Sequence, residues 1–129
     1  RRVVNGGESS RVAMLLAVLE RRGGIAVASA DVYVSTVGGI RIHEPGADLA
    51  IALAIASAAK NIARPPATIA IGEISLAGEI RPVTQANQRS LEAKRLGFEV
   101  VLDKSNVSIS QALQNAFSSK PARAQQPVN

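Results

Sequence analysis

The sequence predicts an α+β domain of the two-layer α/β kind, and three observations support that prediction. The chain has 129 residues, of which 47% are hydrophobic, so it can bury the core of one domain but not of two. Four segments carry apolar residues at helical spacing. The remaining apolar runs are short and are separated by turn residues, as in strands that alternate with helices.

The first third of the chain predicts one helix followed by two strands. Residues 12–19 place valine and leucine at helical spacing behind a pair of serines, and the glycine pair 23–24 stops the pattern. Strands are predicted over residues 25–28 and 32–37, the second with alternating apolar positions.

A strongly apolar second helix is predicted from Asp48 to about Ile62. Pro45 lies near its start, and the basic and proline residues 64–66 are expected to end it. Alanine occupies most of its circumference, which predicts a buried and closely packed helix.

The next segment predicts a β-hairpin followed by a third helix. Two extended runs, 67–74 and 79–83, flank a turn that ends in Gly78, and glycine supplies the positive φ of a tight reversal. The helix is predicted over 87–96, with Gly97 as its stop.

The last elements are a buried strand over 98–102 and a helix that is capped by Ser108 and ends at Phe117. Residues 118–129 have no periodicity and are rich in polar residues and proline, which predicts a disordered tail after a domain of residues 1–117. The chain begins with arginine, so we expect it to be an excised piece of a longer protein.

Composition excludes several classes of site. There is no cysteine, hence no disulfide, no thiol nucleophile and no cysteine-based zinc site, and His43 is the only histidine. The longest apolar run, 47–59, is too short to span a bilayer, and no signal peptide is evident. The net charge of +5 favours polyanionic partners such as nucleic acid, although Lys120 and Arg123 of the tail supply two of these charges.

Several motifs occur in an order that resembles a known family. Together they resemble the Lon-protease-type domain, which has the ribosomal protein S5 domain 2-like fold, and more closely the C-terminal domain of the RadA (Sms) family of bacterial DNA-repair proteins. The resemblance covers about nine-tenths of the chain. The motifs are RVAMLLAVLE at 11–20, DVYV at 31–34, VGGIRI at 37–42, EPGADLA at 44–50 and GEISLAGEIRPV at 72–83.

The resemblance implies a cytoplasmic bacterial parent protein with a zinc finger and a RecA-like ATPase ahead of this domain. ATP, Mg²⁺ and Zn²⁺ would be bound by those other domains, because this chain has no phosphate-binding P-loop and no cysteine. It also implies a hexameric ring that acts on duplex or branched DNA as an ATP-driven branch-migration helicase.

The resemblance further implies that this domain is not itself an enzyme. Lon-type peptidases use a serine whose hydroxyl is deprotonated by a lysine. At the corresponding positions this chain has Gly46, which has no side chain, and Asn87, which is not a base. The expected role is a non-catalytic module for oligomerisation and duplex-DNA binding.

Other arrangements of catalytic groups stay open at this point. They are a Lon-like serine peptidase with a relocated serine–lysine dyad, a serine–histidine–aspartate triad and a catalytic pair of carboxylates. The alternative interpretations are that the histidine is a surface residue at a strand end and that the carboxylates are charges on outward strand positions. The residues are Ser75 or Ser90 with Lys94, His43 with Asp31 or Asp48, and Glu73 with Glu79.

Basic residues carry the predicted DNA contacts, because guanidinium groups bind phosphate and few aromatic residues are available for base stacking. Two further arginines, Arg21 and Arg22, either meet a partner or complement a helix end. A pure structural scaffold without DNA contact is the remaining alternative. The predicted DNA-binding residues are Arg41, Arg64, Arg81, Arg89, Lys94 and Arg95.

Overall fold

The computed structural model describes residues 1–27, 29–35, 44–62, 68–98, 100–103 and 105–117. Within them, helices and short strands alternate, which confirms the predicted α+β class; the ribosomal protein S5 domain 2-like fold stays a prediction. The elements are β1 (Arg2–Asn5), α1 (Ser9–Gly23), β2 (Val32–Ser35), α2 (Asp48–Lys60), β3 (Thr68–Ala70), β4 (Glu73–Ile74), β5 (Ile80–Arg81), α3 (Ala86–Arg95), β6 (Val100–Leu102) and α4 (Ile109–Phe117).

The described strands form three pairs. β1 and β2 are parallel, with Val3 opposite Tyr33, and β3 and β6 are parallel, with Ile69 opposite Val101. β4 and β5 are antiparallel and form the predicted hairpin. Strand β1 was not predicted, because its four residues are too few to display an alternating pattern.

The hydrophobic core lies where α1, α2 and α4 pack together against the hairpin. It is built from aliphatic side chains, as the scarcity of aromatic residues requires. Each is shielded from water almost completely, so their burial supplies the main driving force for folding. The largest of them are Leu15, Leu16, Leu19, Leu49, Leu53, Ile74 and Ile109.

Two predicted helix boundaries have the expected chemistry. Helix α1 ends at Gly23, and Gly24 adopts a left-handed conformation with φ of 71° while its N–H donates to the carbonyl of Leu19. At the start of α4, the hydroxyl of Ser108 accepts a hydrogen bond of 3.2 Å from the N–H of Gln111, which confirms the predicted cap.

The predicted strand over 25–28 is wrong for the three of its residues that the structure describes. Residues 25–27 pair with no strand among the described residues, yet Ile25 and Val27 are buried in the core. The N–H of Val27 donates instead to Glu20 Oε1 at 2.8 Å. The apolar run therefore reflects burial and not strand pairing.

Helix α2 is shorter and less buried than its composition predicts. It ends at Lys60 because Asn61 turns left-handed with φ of 54°, whereas residues 63–67, including the predicted stop, lie outside the described residues. Only one face is buried, through Leu49 and Leu53 among others, while Ala54 is exposed. None of the described helices combines the length and the apolar character that a membrane crossing requires.

The predicted run 67–74 divides into two strands with different partners. β3 pairs with β6, and β4 pairs with β5, so Ile71 and Gly72 form the link between them. This link is closely packed. A Cβ added to Gly72 would lie 2.7 Å from Ile80 Cγ2 of β5 and 3.7 Å from Leu49 Cδ2 of α2. Residue 67 and the predicted disordered tail, 118–129, lie outside the described residues.

Candidate functional site

The start of α2 is clamped to the link between β3 and β4. A 3₁₀ turn over Pro45–Ala47 leads directly into the helix, as the position of Pro45 predicts. The carbonyl of Gly46 accepts a hydrogen bond of 3.0 Å from the N–H of Gly72, and the carbonyl of Gly72 accepts one of 3.1 Å from Leu49. Two backbone hydrogen bonds to Gly72, one from each side of Asp48, therefore fix the segment in which the nucleophile of a Lon-type peptidase is expected.

Gly46 lies in a closely packed corner of a cleft of about 500 Å³. A Cβ added to Gly46 would lie 3.0 Å from Val83 Cγ1, 3.1 Å from Arg89 Nη1 and 3.1 Å from Glu44 Oε2. Arg89 and Glu44 also face each other across this corner, with Nη2 and Oε2 3.4 Å apart. A larger side chain at position 46 would have to displace this ion pair or Val83.

The side chain of α3 that reaches Gly46 is that of Arg89. Asn87, which the resemblance aligns with the lysine, is exposed on the same helix. Arginine stays protonated at any physiological pH and cannot accept a proton from a nucleophile. Neither position therefore offers a general base to this corner.

The two serines considered for a relocated dyad have structural hydrogen bonds. Ser75 Oγ accepts from the N–H of Glu79 at 3.1 Å inside the hairpin turn. Ser90 Oγ donates to Asp103 Oδ2 at 3.2 Å. Partial burial raises the pKa of Asp103, but hydrogen bonds from Ser105 and Ser90 and the charge of Lys94 together bring it below its ordinary value.

Asp48, considered for a triad, is a buried link between three elements. Its carboxylate is 1% exposed and accepts hydrogen bonds from Arg11 Nε at 2.7 Å, from Arg11 Nη2 at 2.5 Å and from the N–H of Ile74 at 3.0 Å. The hydrogen bond to Asp48 raises the pKa of Arg11 above its ordinary value. His43, the proposed triad partner, lies outside the described residues, and Asp31 is exposed.

The predicted carboxylate pair does not act as a unit in the structure. Glu73 faces Arg11, with Oε2 and Nη2 3.4 Å apart. Glu79 faces Arg81, with Oε1 and Nη2 3.7 Å apart. Each carboxylate thus has its own arginine, as expected for solvated strand charges and not for an acid–base pair.

The ion pair between Arg11 and Asp48 was not predicted from the sequence. Asp48 stands alone as a charge in an otherwise apolar helix start, and that is the signal that could have found it. The sequence does not say which of the many arginines lies opposite, since the two residues are 37 positions apart.

Most of the predicted DNA-binding cations that the structure describes face a carboxylate. Arg95 Nε donates to Glu92 Oε1 at 3.0 Å, Arg81 faces Glu79, and Arg89 faces Glu44. Lys94 is exposed and lies near Asp103. Arg41 and Arg64 lie outside the described residues. A nearby carboxylate offsets much of an arginine's attraction for phosphate. These residues are therefore weaker candidates for DNA contacts than cations without a carboxylate beside them.

Arg21 and Arg22 differ from that set. Both are exposed in the last turn of α1, and neither makes an ion pair with a described carboxylate. Arg22 lies against the hairpin turn, since a Cβ added to Gly78 would lie 2.8 Å from Arg22 Cβ. The turn and the basic helix end therefore form one surface.

The described residues contain no group of three or more histidine, cysteine, aspartate or glutamate side chains that could hold a metal ion.

Comparisons with known proteins agree with the resemblance in the sequence. Residues 16–106 match the family model described as subunit ChlI of Mg-chelatase. The chain is 55% identical over 98 residues to the DNA repair protein RadA of Mycolicibacterium smegmatis, which covers 76% of this chain. It is 47% identical over 98 residues to RadA of Escherichia coli and 42% identical over 118 residues to RadA of Streptococcus pyogenes, which cover 76% and 88% of this chain.

The matched region is a minor part of each relative. The chain covers 21% of the Mycolicibacterium and Escherichia proteins and 26% of the Streptococcus protein. It therefore spans about a fifth to a quarter of the length of the curated relatives it matches.

Proposed function

Because the chain belongs to the family described by the ChlI model and corresponds to the Lon-like C-terminal domain of RadA proteins, we propose that it is a non-catalytic module of a DNA-repair protein. In this proposal the domain binds duplex DNA and takes part in oligomerisation. The names of the relatives support the repair role, and the geometry around Gly46 supports the absence of peptidase chemistry.

The observation that carries the DNA-binding part is the pair of exposed cations at the end of α1. Arg21 and Arg22 have no described carboxylate partner, so their full charge is available to phosphate. A protein that neutralises phosphates releases counterions, so its affinity falls as salt rises, whatever the DNA sequence. The remaining positive charge of the chain would steer DNA towards this surface.

The test is a titration of the chain against a fluorescent duplex at several salt concentrations. We expect affinity to fall with salt, and the double variant Arg21→Ala, Arg22→Ala to reduce the slope of log K against log salt by about 2. Arg95→Ala is the matched control, because it removes an exposed arginine that faces Glu92. We expect that variant to bind nearly as the wild type does.

Absence of any binding at low salt would overturn the DNA-binding part of the proposal. A loss of affinity and of salt slope in the control that is half of that in the double variant would instead mean that only the overall charge matters, because the control removes one charge and the double variant two. Circular dichroism on all three proteins establishes that the exposed substitutions leave the fold intact.

The oligomerisation part is supported by large apolar side chains on the surface of the described residues. Tyr33 is 64% exposed on β2, Leu91 of α3 is 67% exposed, and Leu96, just after α3, is 60% exposed. Apolar surface of this kind is typical of protein interfaces. Sedimentation velocity at increasing concentration tests it: a mass that stays at 13.4 kDa would overturn self-association by this chain alone.

For the longer protein we propose an ATP-driven branch-migration helicase that forms a hexameric ring in the bacterial cytoplasm. Nucleotide, Mg²⁺ and Zn²⁺ would be bound by other regions of that protein, and this domain would supply a platform and phosphate contacts. Light scattering of the full-length protein, with and without residues 1–117, would measure how much of the assembly depends on this domain.

A further inference from the structure

The tip of the β4–β5 hairpin presents an apolar surface beside the basic end of α1. Leu76 is 75% exposed at the tip, and Val107, on the segment that runs along β5, is 65% exposed. That segment lies against the hairpin, because the carbonyl of Gly78 accepts from the N–H of Ile109 at 2.7 Å and the carbonyl of Val107 accepts from the N–H of Ile80 at 3.1 Å. We call this surface, with Arg21 and Arg22 at its edge, the hairpin tip.

The hairpin tip is held rigidly by its own hydrogen bonds. Ser75 donates its N–H to the carbonyl of Glu79 at 3.0 Å and accepts from Gly78 at 2.9 Å with its carbonyl. Its hydroxyl also accepts from the N–H of Glu79 at 3.1 Å. Because this turn is already ordered, its exposed leucine loses little conformational entropy when it inserts into a partner.

The charges around the hairpin tip select an anionic partner. Glu79 is the carboxylate of the turn and faces Arg81, so these two charges offset each other. Arg21 and Arg22 then leave a net positive edge around an exposed leucine. Glu20, the residue before them, accepts a hydrogen bond from the N–H of Val27 and keeps its negative charge, so the two arginines exceed it by one positive charge.

We propose that the hairpin tip is a wedge that inserts Leu76 between base pairs of duplex DNA while Arg21 and Arg22 bind the flanking phosphates. The proposal rests on the proposed DNA-binding function and specifies how the DNA is engaged. Proteins that insert an apolar side chain into a base step unstack it and kink the duplex. The step opens most easily where stacking is already interrupted, as at a branch point, so the wedge favours branched over linear DNA.

The test compares Leu76→Ser with Ile62→Ser, which removes another exposed aliphatic side chain, just beyond the end of α2 and outside both proposed surfaces. The probes are a linear duplex and a three-way junction that carries 2-aminopurine at the branch, whose fluorescence rises when it is unstacked. We expect wild type and Ile62→Ser to raise the fluorescence and to prefer the junction. Leu76→Ser should lose about tenfold in junction affinity, as expected when one leucine is no longer buried, and should keep the salt dependence on linear DNA.

Two results would overturn the wedge and leave the proposed DNA binding intact. One is an unchanged 2-aminopurine signal and junction preference in Leu76→Ser. The other is a loss of self-association in Leu76→Ser without any change in DNA binding, which would make the hairpin tip an interface between copies of the chain. Failure of the wild type to bind either DNA at low salt would overturn both proposals together.

Discussion

The guanidinium of Arg11 and the carboxylate of Asp48 join the first turns of α1 and α2 through two hydrogen bonds, of 2.7 Å and 2.5 Å. Arg11 is 31% exposed and Asp48 only 1% exposed, so the pair extends from the surface into the core. The N–H of Ile74 donates to the same carboxylate, which ties the hairpin to both helices. Such a bidentate pair fixes geometry as well as charge.

Asp48→Asn is expected to destabilise the fold by about 3 kcal/mol, because the part-buried guanidinium of Arg11 loses its nearer, buried counter-charge and keeps only the more distant, exposed Glu73. The measurement is urea denaturation followed by circular dichroism. Glu92→Gln is the matched control, since it breaks an arginine pair on the exposed surface of α3 and should leave the midpoint nearly unchanged. Similar midpoints for both variants would mean that the Arg11–Asp48 pair contributes little.

Asp103 is expected to make stability depend on pH in the acid range. Its pKa is below the ordinary value in the folded protein, so the folded state favours its charged form. That contribution is fully present above the ordinary carboxyl pKa of 3.8 and is lost as the pH falls through the lower folded value. Denaturation midpoints of wild type and Asp103→Asn should therefore differ at pH 6 and converge at the acid end; a constant difference would contradict this.

Gly46→Ser is expected to place a hydroxyl at the position of the Lon nucleophile without producing a peptidase. The new Cβ would crowd Val83 and the Glu44–Arg89 pair, which should destabilise the fold by about 1–3 kcal/mol. Gly7→Ser is the control for stability, because a Cβ there makes only an ordinary contact of 3.4 Å with Val4.

Labelling by a fluorophosphonate probe measures the chemistry of the same variant. We expect no labelling of wild type or of Gly46→Ser, because Arg89 cannot act as a base. Labelling of the wild type that disappears in Ser75→Ala or Ser90→Ala would instead support the relocated dyad.

Gly78→Ala is expected to destabilise the fold more than Gly97→Ala does. Both glycines have positive φ, of 83° and 99°, so both variants lose about 1 kcal/mol to backbone strain. At Gly78 the new Cβ also meets Arg22 Cβ at 2.8 Å, whereas at Gly97 nothing lies within 4 Å. The total for Gly78→Ala should reach about 3 kcal/mol, and thermal melts of the two variants give the difference directly; equal losses would mean that the turn does not pack on Arg22.

Helix boundaries could be predicted from the sequence because their causes are local. Gly24 ends α1 and Ser108 caps α4 through contacts within a few residues, and the turn at Gly78 depends on its own φ. The end of α2 escaped prediction, because Asn61 can adopt the left-handed conformation without any sign in the pattern of apolar residues.

By itself, the sequence determined the α+β class, the order of the four helices and the family, since periodicity, turn residues and ordered motifs are properties of the chain alone. Only the tertiary structure decided which charges meet. It placed Arg11 on Asp48 and Arg89 beside Gly46, and it left Arg21 and Arg22 free of described carboxylates. The physical reason is that an ion pair depends on a distance of a few ångströms between residues far apart in sequence, which only the packing of helices and strands sets.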